Sequence, residues 1–215
     1  MNLEPEALAL YVVTDPVLVG ERSLREVCAR AMRAGAAVVQ LRDKGASTRE
    51  LLHQARALLE LAAAHGSRIL INDRVDVALA AGAHGVHLGQ DDLPPAAARR
   101  LLGPEAVIGV SVRSPEEARA AERDGADYLA ANLVYATATK TDLPAPIGLD
   151  GLRALRAASA LPLVAIGGID AERAGAVVAA GADGVAVVAA VMAAPDPAAA
   201  CRELLAAVAR GREGR

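Results

Sequence analysis

The chain alternates short apolar runs with longer stretches in which apolar residues recur every three or four positions. The short runs cover 8–14, 37–42, 68–72, 85–89, 107–111, 128–132, 163–167 and 184–189. They are rich in Val, Ile and Leu and show little strict alternation. Strands buried on both faces of a parallel sheet read this way. The longer stretches include 48–64, 114–123, 171–180 and 196–209, and their spacing predicts helices. Ser114-Pro115-Glu116-Glu117 places a capping Ser, a Pro at the first helical position and acids in the first turn.

A recurring tripeptide supports the count of elements. Ala34-Gly35-Ala36, Ala81-Gly82-Ala83, Asp124-Gly125-Ala126 and Ala180-Gly181-Ala182 each fall between a helix and a strand. The Gly is expected to end the helix with positive φ, and the next strand starts at once. These signals precede strands two, four, six and eight. Eight βα units with right-handed crossovers close into a (β/α)8 TIM barrel, an α/β fold. An open doubly wound sheet is the alternative. No linker or low-complexity stretch divides the chain. A single domain over 1–215 is expected, with 1–7 and 210–215 as frayed ends.

Composition removes several functions. Hydrophobic residues make up 53% and charged residues 23%, enough apolar residues for a sizeable core. The formal net charge is −3 and no basic run occurs, so no nucleic-acid partner is expected. No apolar run reaches bilayer length, and 1–6 carry two acids and no basic segment. Neither a membrane span nor a signal peptide is expected. Two cysteines, Cys28 and Cys201, exclude a disulfide scaffold and suit a reducing, cytoplasmic compartment.

Rare residues show where chemistry collects. Of 23 Lys+Arg only Lys44 and Lys140 are Lys, while Asn and Gln occur three times each. These residues gather at the predicted C-terminal ends of strands, where this fold builds its active sites. Strand two ends in Gln40-Leu41-Arg42-Asp43-Lys44, strand three in Asn72-Asp73-Arg74, and strand five at Ser111. Strand four runs into His87-Leu88-Gly89-Gln90-Asp91-Asp92, strand seven into Gly167-Gly168, and strand eight into Ala189-Ala190. The loop after strand six holds Thr137-Ala138-Thr139-Lys140-Thr141.

Arg42 and Lys44 share parity and face one way. With Lys140 they suit a polyanion such as a diphosphate. A solvated pair with Asp43 is the alternative. Asp73 and Asp92, single acids on adjacent strands, suit Mg²⁺ shared with substrate phosphates. Helix N-caps are the alternative for both, and Asp91 competes with Asp92. The glycine pair suits either a phosphate or a tight turn. His53, His65, His84 and His87 lack metal-ligand spacing, although His87 could support a neighbour. Ser111 has no Gly-x-Ser-x-Gly setting and is not read as a nucleophile.

The ordered set QLRDK, NDRVD, GVHLGQDD, GVS, TATK and IGG resembles the thiamine-phosphate synthase family over about residues 10–192. The resemblance implies a (β/α)8 barrel that joins hydroxymethylpyrimidine diphosphate to a thiazole phosphate, both small molecules. Gln40 would then meet the pyrimidine. Arg42, Lys44, Asn72, Ser111 and Lys140 would hold the diphosphate, with Arg42, Lys44, Ser111 and Lys140 catalytic. Asp73 and Asp92 would bind Mg²⁺, and Thr137, Thr139 and Gly168 the thiazole phosphate.

Three departures from the family pattern stand out. Asn132-Leu133-Val134-Tyr135-Ala136-Thr137 replaces a common Gly-Pro-x-Phe-Pro-Thr run, Ala189 replaces a Ser, and Arg113 replaces a His. The first two bear on affinity for the thiazole phosphate. The third, with Gln90-Asp91-Asp92 retained, separates the chain from a related thiazole tautomerase that tends to use a His base. A thiazole-phosphate carrier without catalysis is the remaining alternative.

The scarcity of Lys yields a test. Lys140→Arg keeps the charge, yet it should slow diphosphate release, because a guanidinium is wider and spreads its charge. Lys140→Ala should cost about 2.7–4 kcal/mol of barrier, the weight of one oxyanion-stabilising donor. Single-turnover release with both substrates saturating measures this, and wild-type rates for Lys140→Arg would refute it.

Overall fold

A computed structural model describes residues 5–137 and 145–214. Residues 5–8 form a short 3₁₀ helix, followed by β1 (Leu10–Val13), α1 (Leu24–Arg33), β2 (Val38–Leu41), α2 (Thr48–His65) and β3 (Arg68–Asn72). Next come α3 (Val75–Ala81), β4 (Gly85–Leu88), α4 (Pro95–Leu102), β5 (Val107–Val112), α5 (Pro115–Arg123) and β6 (Tyr128–Asn132). The last third holds α6 (Gly148–Ala158), β7 (Leu163–Ile166), α7 (Ala171–Ala179), β8 (Gly184–Val187), α8 (Ala189–Met192) and α9 (Pro197–Glu213). All eight strands are parallel and pair in chain order, and β1 closes the ring on β8. The expected (β/α)8 barrel is therefore the fold, and the open sheet is excluded.

Local signals act as read. Gly35, Gly82, Gly125 and Gly181 all take positive φ. Ser114 accepts from the Glu117 N–H, and Ser47 forms a full capping box with Glu50.

Several element ends differ from expectation. The strand expected over 8–14 begins at Leu10, because Leu8 closes the 3₁₀ turn and is buried. The strand expected over 184–189 stops at Val187, because Ala189 opens α8. At the other end of the described residues α9 runs on to Glu213. A Cβ on Gly211 would lie 2.5 Å from the Gly175 carbonyl oxygen, so α9 packs backbone to backbone on α7. Arg212 Nη2 also donates to the Asp183 carbonyl at 2.6 Å.

Two apolar layers result. One lies between the barrel and its helices. The other fills the barrel and includes Val13, Val38, Leu70, Val164 and Ala186. Tyr11 and Tyr128 stand in this inner layer, 1% and 0% exposed, with ring centroids 6.0 Å apart. They fit because β5 offers no side chain at Gly109, where a Cβ would lie 2.0 Å from Tyr128 Cζ.

That contact sets a stability prediction. Gly109→Ala should force the Tyr128 ring aside and destabilise the fold by roughly 1–3 kcal/mol, the usual cost of overpacking a core. The urea midpoint measures it. An unchanged midpoint would mean that the ring shifts without cost.

Candidate active site

At the C-terminal mouth of the barrel a cavity opens, and it has two parts. The inner part is mostly apolar, walled by Val13, Val164, Ile166 and Ala186, with Tyr11 also lining it. The outer part is polar and includes Lys44, Asp73, Asp91, Asp92 and Arg113. Arg42, Asn72, His87, Ser111 and Asn132 line both. Gln40, Thr137 and Gly168 line the inner part. Thus Gln40, Arg42, Lys44, Asn72, Asp73, Asp92, Ser111, Thr137 and Gly168 converge on one mouth, while Thr139 and Lys140 lie outside the described residues.

The loop after β2 is held open by its neighbours. Thr14 at the end of β1 receives the Arg42 N–H at 2.8 Å and donates its hydroxyl to the Arg42 carbonyl at 2.9 Å. Asp43 turns the chain, since its Oδ1 accepts from the Gly45 and Ala46 N–H groups at 3.0 and 3.1 Å. Its carboxylate shapes the turn, so the alternative reading of a pair with Arg42 or Lys44 is not what the described residues show.

Neither Asp73 nor Asp92 is a side-chain helix cap. The N-caps of α3 and α4 are Arg74 and Pro94, without a side-chain cap bond. Asp92 Oδ2 accepts the Gly89 N–H at 2.7 Å, which folds the turn after β4 back over the mouth. Asp73 is held in the left-handed region, φ 62°, with its N–H bonded to the His87 carbonyl at 2.9 Å. The two carboxyl groups lie close enough to act on each other. Burial, and then Asp92, push the Asp73 carboxyl up to about 6, while Lys44 and Asn72 pull it down. Two hard oxygen donors held together against their repulsion are a fit for a divalent cation. Among the described residues no cluster of three or more His, Cys, Asp or Glu could hold a metal. A cation between Asp73 and Asp92 would complete its shell from substrate and water, which is how Mg²⁺ is commonly bound.

The far side is built differently from the sequence reading. α7 is already capped, because Asp170 accepts from the N–H groups of Glu172 and Arg173. That leaves the glycine backbone, not the helix end, for an anion. A Cβ on Gly168 would lie 2.4 Å from the Ala136 carbonyl oxygen, so the glycine also lets the chain after β6 cross it. Arg173 donates to the Gly168 carbonyl at 2.6 Å and lies over the Tyr135 ring at 5.0 Å. Tyr135, one of the departures, is thereby fixed against the glycine turn. Arg113, another departure, donates to the carbonyls of Asn132 at 3.2 Å and Ala145 at 2.8 Å. It ties the end of β5 to residues on both sides of 138–144. Ala189 lines the cavity without a hydroxyl.

Sequence reasoning missed Tyr11 and Tyr128, which lie beneath the mouth and bond to Gln40 and His87. The available signal was compositional: they are two of only three aromatic residues, all Tyr.

A closed parallel barrel with cations and paired acids at its mouth, a glycine pair after the seventh strand and a short extra helix after the eighth is laid out as a phosphate-handling (β/α)8 enzyme. A family model described as thiamine monophosphate synthase matches residues 10–191. The chain belongs to that family, whose members are transferases of thiamine biosynthesis. It is 50% identical to a thiamine-phosphate synthase of Moorella thermoacetica over 94% of this chain and 97% of the relative. It is 53% identical to one of Chloroflexus aurantiacus over 95% and 94%. The solved thiamine phosphate pyrophosphorylase of Pyrococcus furiosus superposes with a TM-score of 0.87 at 41% identity, covering 97% of this chain and 98% of that one. A 3-hexulose-6-phosphate synthase, at 20% identity and TM-score 0.68, shares the fold. Among the described residues no helix is long and apolar enough to cross a membrane.

The raised Asp73 carboxyl predicts a pH effect. Between the ordinary value of 3.8 and about 6 the folded state holds this proton more tightly than the unfolded chain, so stability falls as pH rises through that window. In cation-free buffer Asp73→Asn should unfold at a higher temperature than wild type above pH 6, with the gap closing toward pH 4. Thermal unfolding across that range in EDTA measures it. A gap that does not change with pH would overturn the assignment.

Proposed function

We propose that the chain condenses 4-amino-2-methyl-5-hydroxymethylpyrimidine diphosphate with thiazole phosphate, giving thiamine phosphate and diphosphate. The observation that carries this reading is the two-part cavity: a mostly apolar space adjoins a polar space of cations and acids. Arg42, Asn72 and Ser111 stand at the junction, where a ring-CH₂–O–diphosphate bond would lie. Gln40 at the side of the apolar part would read the pyrimidine amine. Thr137, Thr139 and Gly168 would hold the thiazole phosphate across the cavity, without a hydroxyl from position 189.

The reaction needs no base to make a nucleophile, because the thiazole nitrogen already carries a lone pair. The demanding step is departure of diphosphate, which leaves a resonance-stabilised pyrimidine cation. Arg42, Lys44 and Lys140 would stabilise the charge developing on the leaving group, and Ser111 would donate to it. Asp73 and Asp92 would hold Mg²⁺, which when bound neutralises diphosphate charge. The apolar walls keep water from the cation until the thiazole nitrogen attacks. The tautomerase alternative loses ground, because the side chain at 113 is an Arg engaged with two backbone carbonyls.

Diphosphate release with both substrates and Mg²⁺ tests the reading, and no release under saturating conditions would overturn it. Asp92→Asn should lower the apparent affinity for Mg²⁺ and the rate at limiting Mg²⁺ while the fold persists. Full activity there would reduce Asp92 to a turn-forming acid.

A further inference from the structure

Beneath the mouth runs a string of hydrogen bonds whose three middle members, Tyr11, Tyr128 and His87, the proposed reaction leaves unused. Gln40 Nε2 donates to Tyr11 Oη at 2.6 Å, and Tyr11 Oη lies 2.9 Å from Tyr128 Oη. Tyr128 Oη lies 2.8 Å from His87 Nδ1, and His87 Nε2 lies 2.9 Å from Ser111 Oγ. Side chains from five strands thus cross the barrel from the pyrimidine side to the diphosphate side.

The bond directions in this string are not independent. Each hydroxyl has one proton to give, and a neutral imidazole has one donor and one acceptor. If the Gln40 N–H donates, Tyr11 accepts and must donate to Tyr128. Tyr128 then donates to His87 Nδ1, which leaves the proton of His87 on Nε2. That proton goes to Ser111 Oγ and frees the Ser111 hydroxyl proton to point outward. The reverse order, with the Gln40 amide turned over, is the only other one that pairs every buried hydroxyl proton while His87 is neutral, and it would turn the lone pairs of Ser111 toward the mouth. There, beside Arg42 and Asn72, an anionic substrate only accepts. Burial holds the two phenols neutral by raising both well above the usual tyrosine range, so neither becomes an acceptor-only phenolate.

We infer that Tyr11, Tyr128 and His87 are positioning residues that hold His87 as its Nε2–H tautomer and aim the Ser111 hydroxyl proton at the substrate diphosphate. The inference rests on the proposed function for the identity of the anion. It also couples the two ends of the substrate. A pyrimidine amine donating to the Gln40 carbonyl oxygen locks the amide with its nitrogen toward Tyr11, which fixes the proton order at Ser111.

Two measurements test it. Nitrogen-15 NMR of the histidines in the free protein, with His87 assigned by its loss in His87→Asn, should show the Nε2–H tautomer. Finding the Nδ1–H tautomer would overturn the inference whatever reaction the protein performs. The second is a double-mutant cycle read by diphosphate release and by binding of inorganic diphosphate with Mg²⁺. Tyr128→Phe keeps the ring that packs on Gly109 and removes one hydroxyl. It should lower both readouts by roughly 10–100-fold, the weight of one hydrogen bond to a charged group. In a Ser111→Ala background it should change neither. Equal losses in both backgrounds would make Tyr128 a packing residue only and overturn the inference. Should Tyr128→Phe fail to fold, Tyr11→Phe breaks the string one link earlier and is read the same way. A wild-type chain that releases no diphosphate refutes the proposed function, while the tautomer and the binding cycle still decide this one.

Discussion

The interior of a closed eight-stranded barrel must be filled, and only side chains of alternate strand residues can fill it. This constraint governs the rest of the molecule. The chain has no Phe or Trp, so the bulkiest side chains of the interior are two tyrosines, with Gly109 yielding space to Tyr128. Each phenol brings a polar tip into an apolar core, where an unpaired hydroxyl would be costly. The tips bond to each other and onward to Gln40 and His87. The packing solution and the floor of the cavity are therefore the same residues.

Much of this was legible in the sequence, for identifiable reasons. The four x-Gly-Ala turns marked where a helix stops and a strand begins, because positive φ leaves few residues to choose from. The rim was legible because polar residues are scarce, so Asn72, Gln90 and Lys44 stand out against Ala, Val and Arg. Element ends were less legible, because an apolar run does not show where its backbone leaves the sheet. Leu8 and Ala189 are as apolar as the strands beside them, yet one lies in a 3₁₀ turn and the other in a helix. The tyrosine pair was hidden for a different reason. A single Tyr in an apolar run reads as core, and the bond between these two joins residues 117 apart in the chain.

The acids and cations at the mouth show how one loop disciplines another. Asp43 uses its carboxylate to turn the chain after β2, and Asp92 uses one oxygen to fold the turn after β4. Neither Arg42 nor Lys44 takes its anion from Asp43. Asp73 and Asp92, kept close on neighbouring strand ends, share a repulsion that a bound cation would relieve. The mouth therefore keeps Lys44 within the field of Asp73, while Asp43 spends its carboxylate on the turn.

The pairing of β1 with β8 also governs how the protein is made. Leu10 meets Val185 and Val12 meets Val187, so the first strand keeps an open edge until residue 187 has left the ribosome. The contact of Gly211 with Gly175 comes later still. Strands made earlier can pair in order as they emerge, but the ring shuts only once β8 has emerged. Non-local closure of this kind is slow, and an unpaired parallel edge invites pairing with other chains. The nascent barrel is thus most in need of protection in the interval before β8 emerges to meet β1.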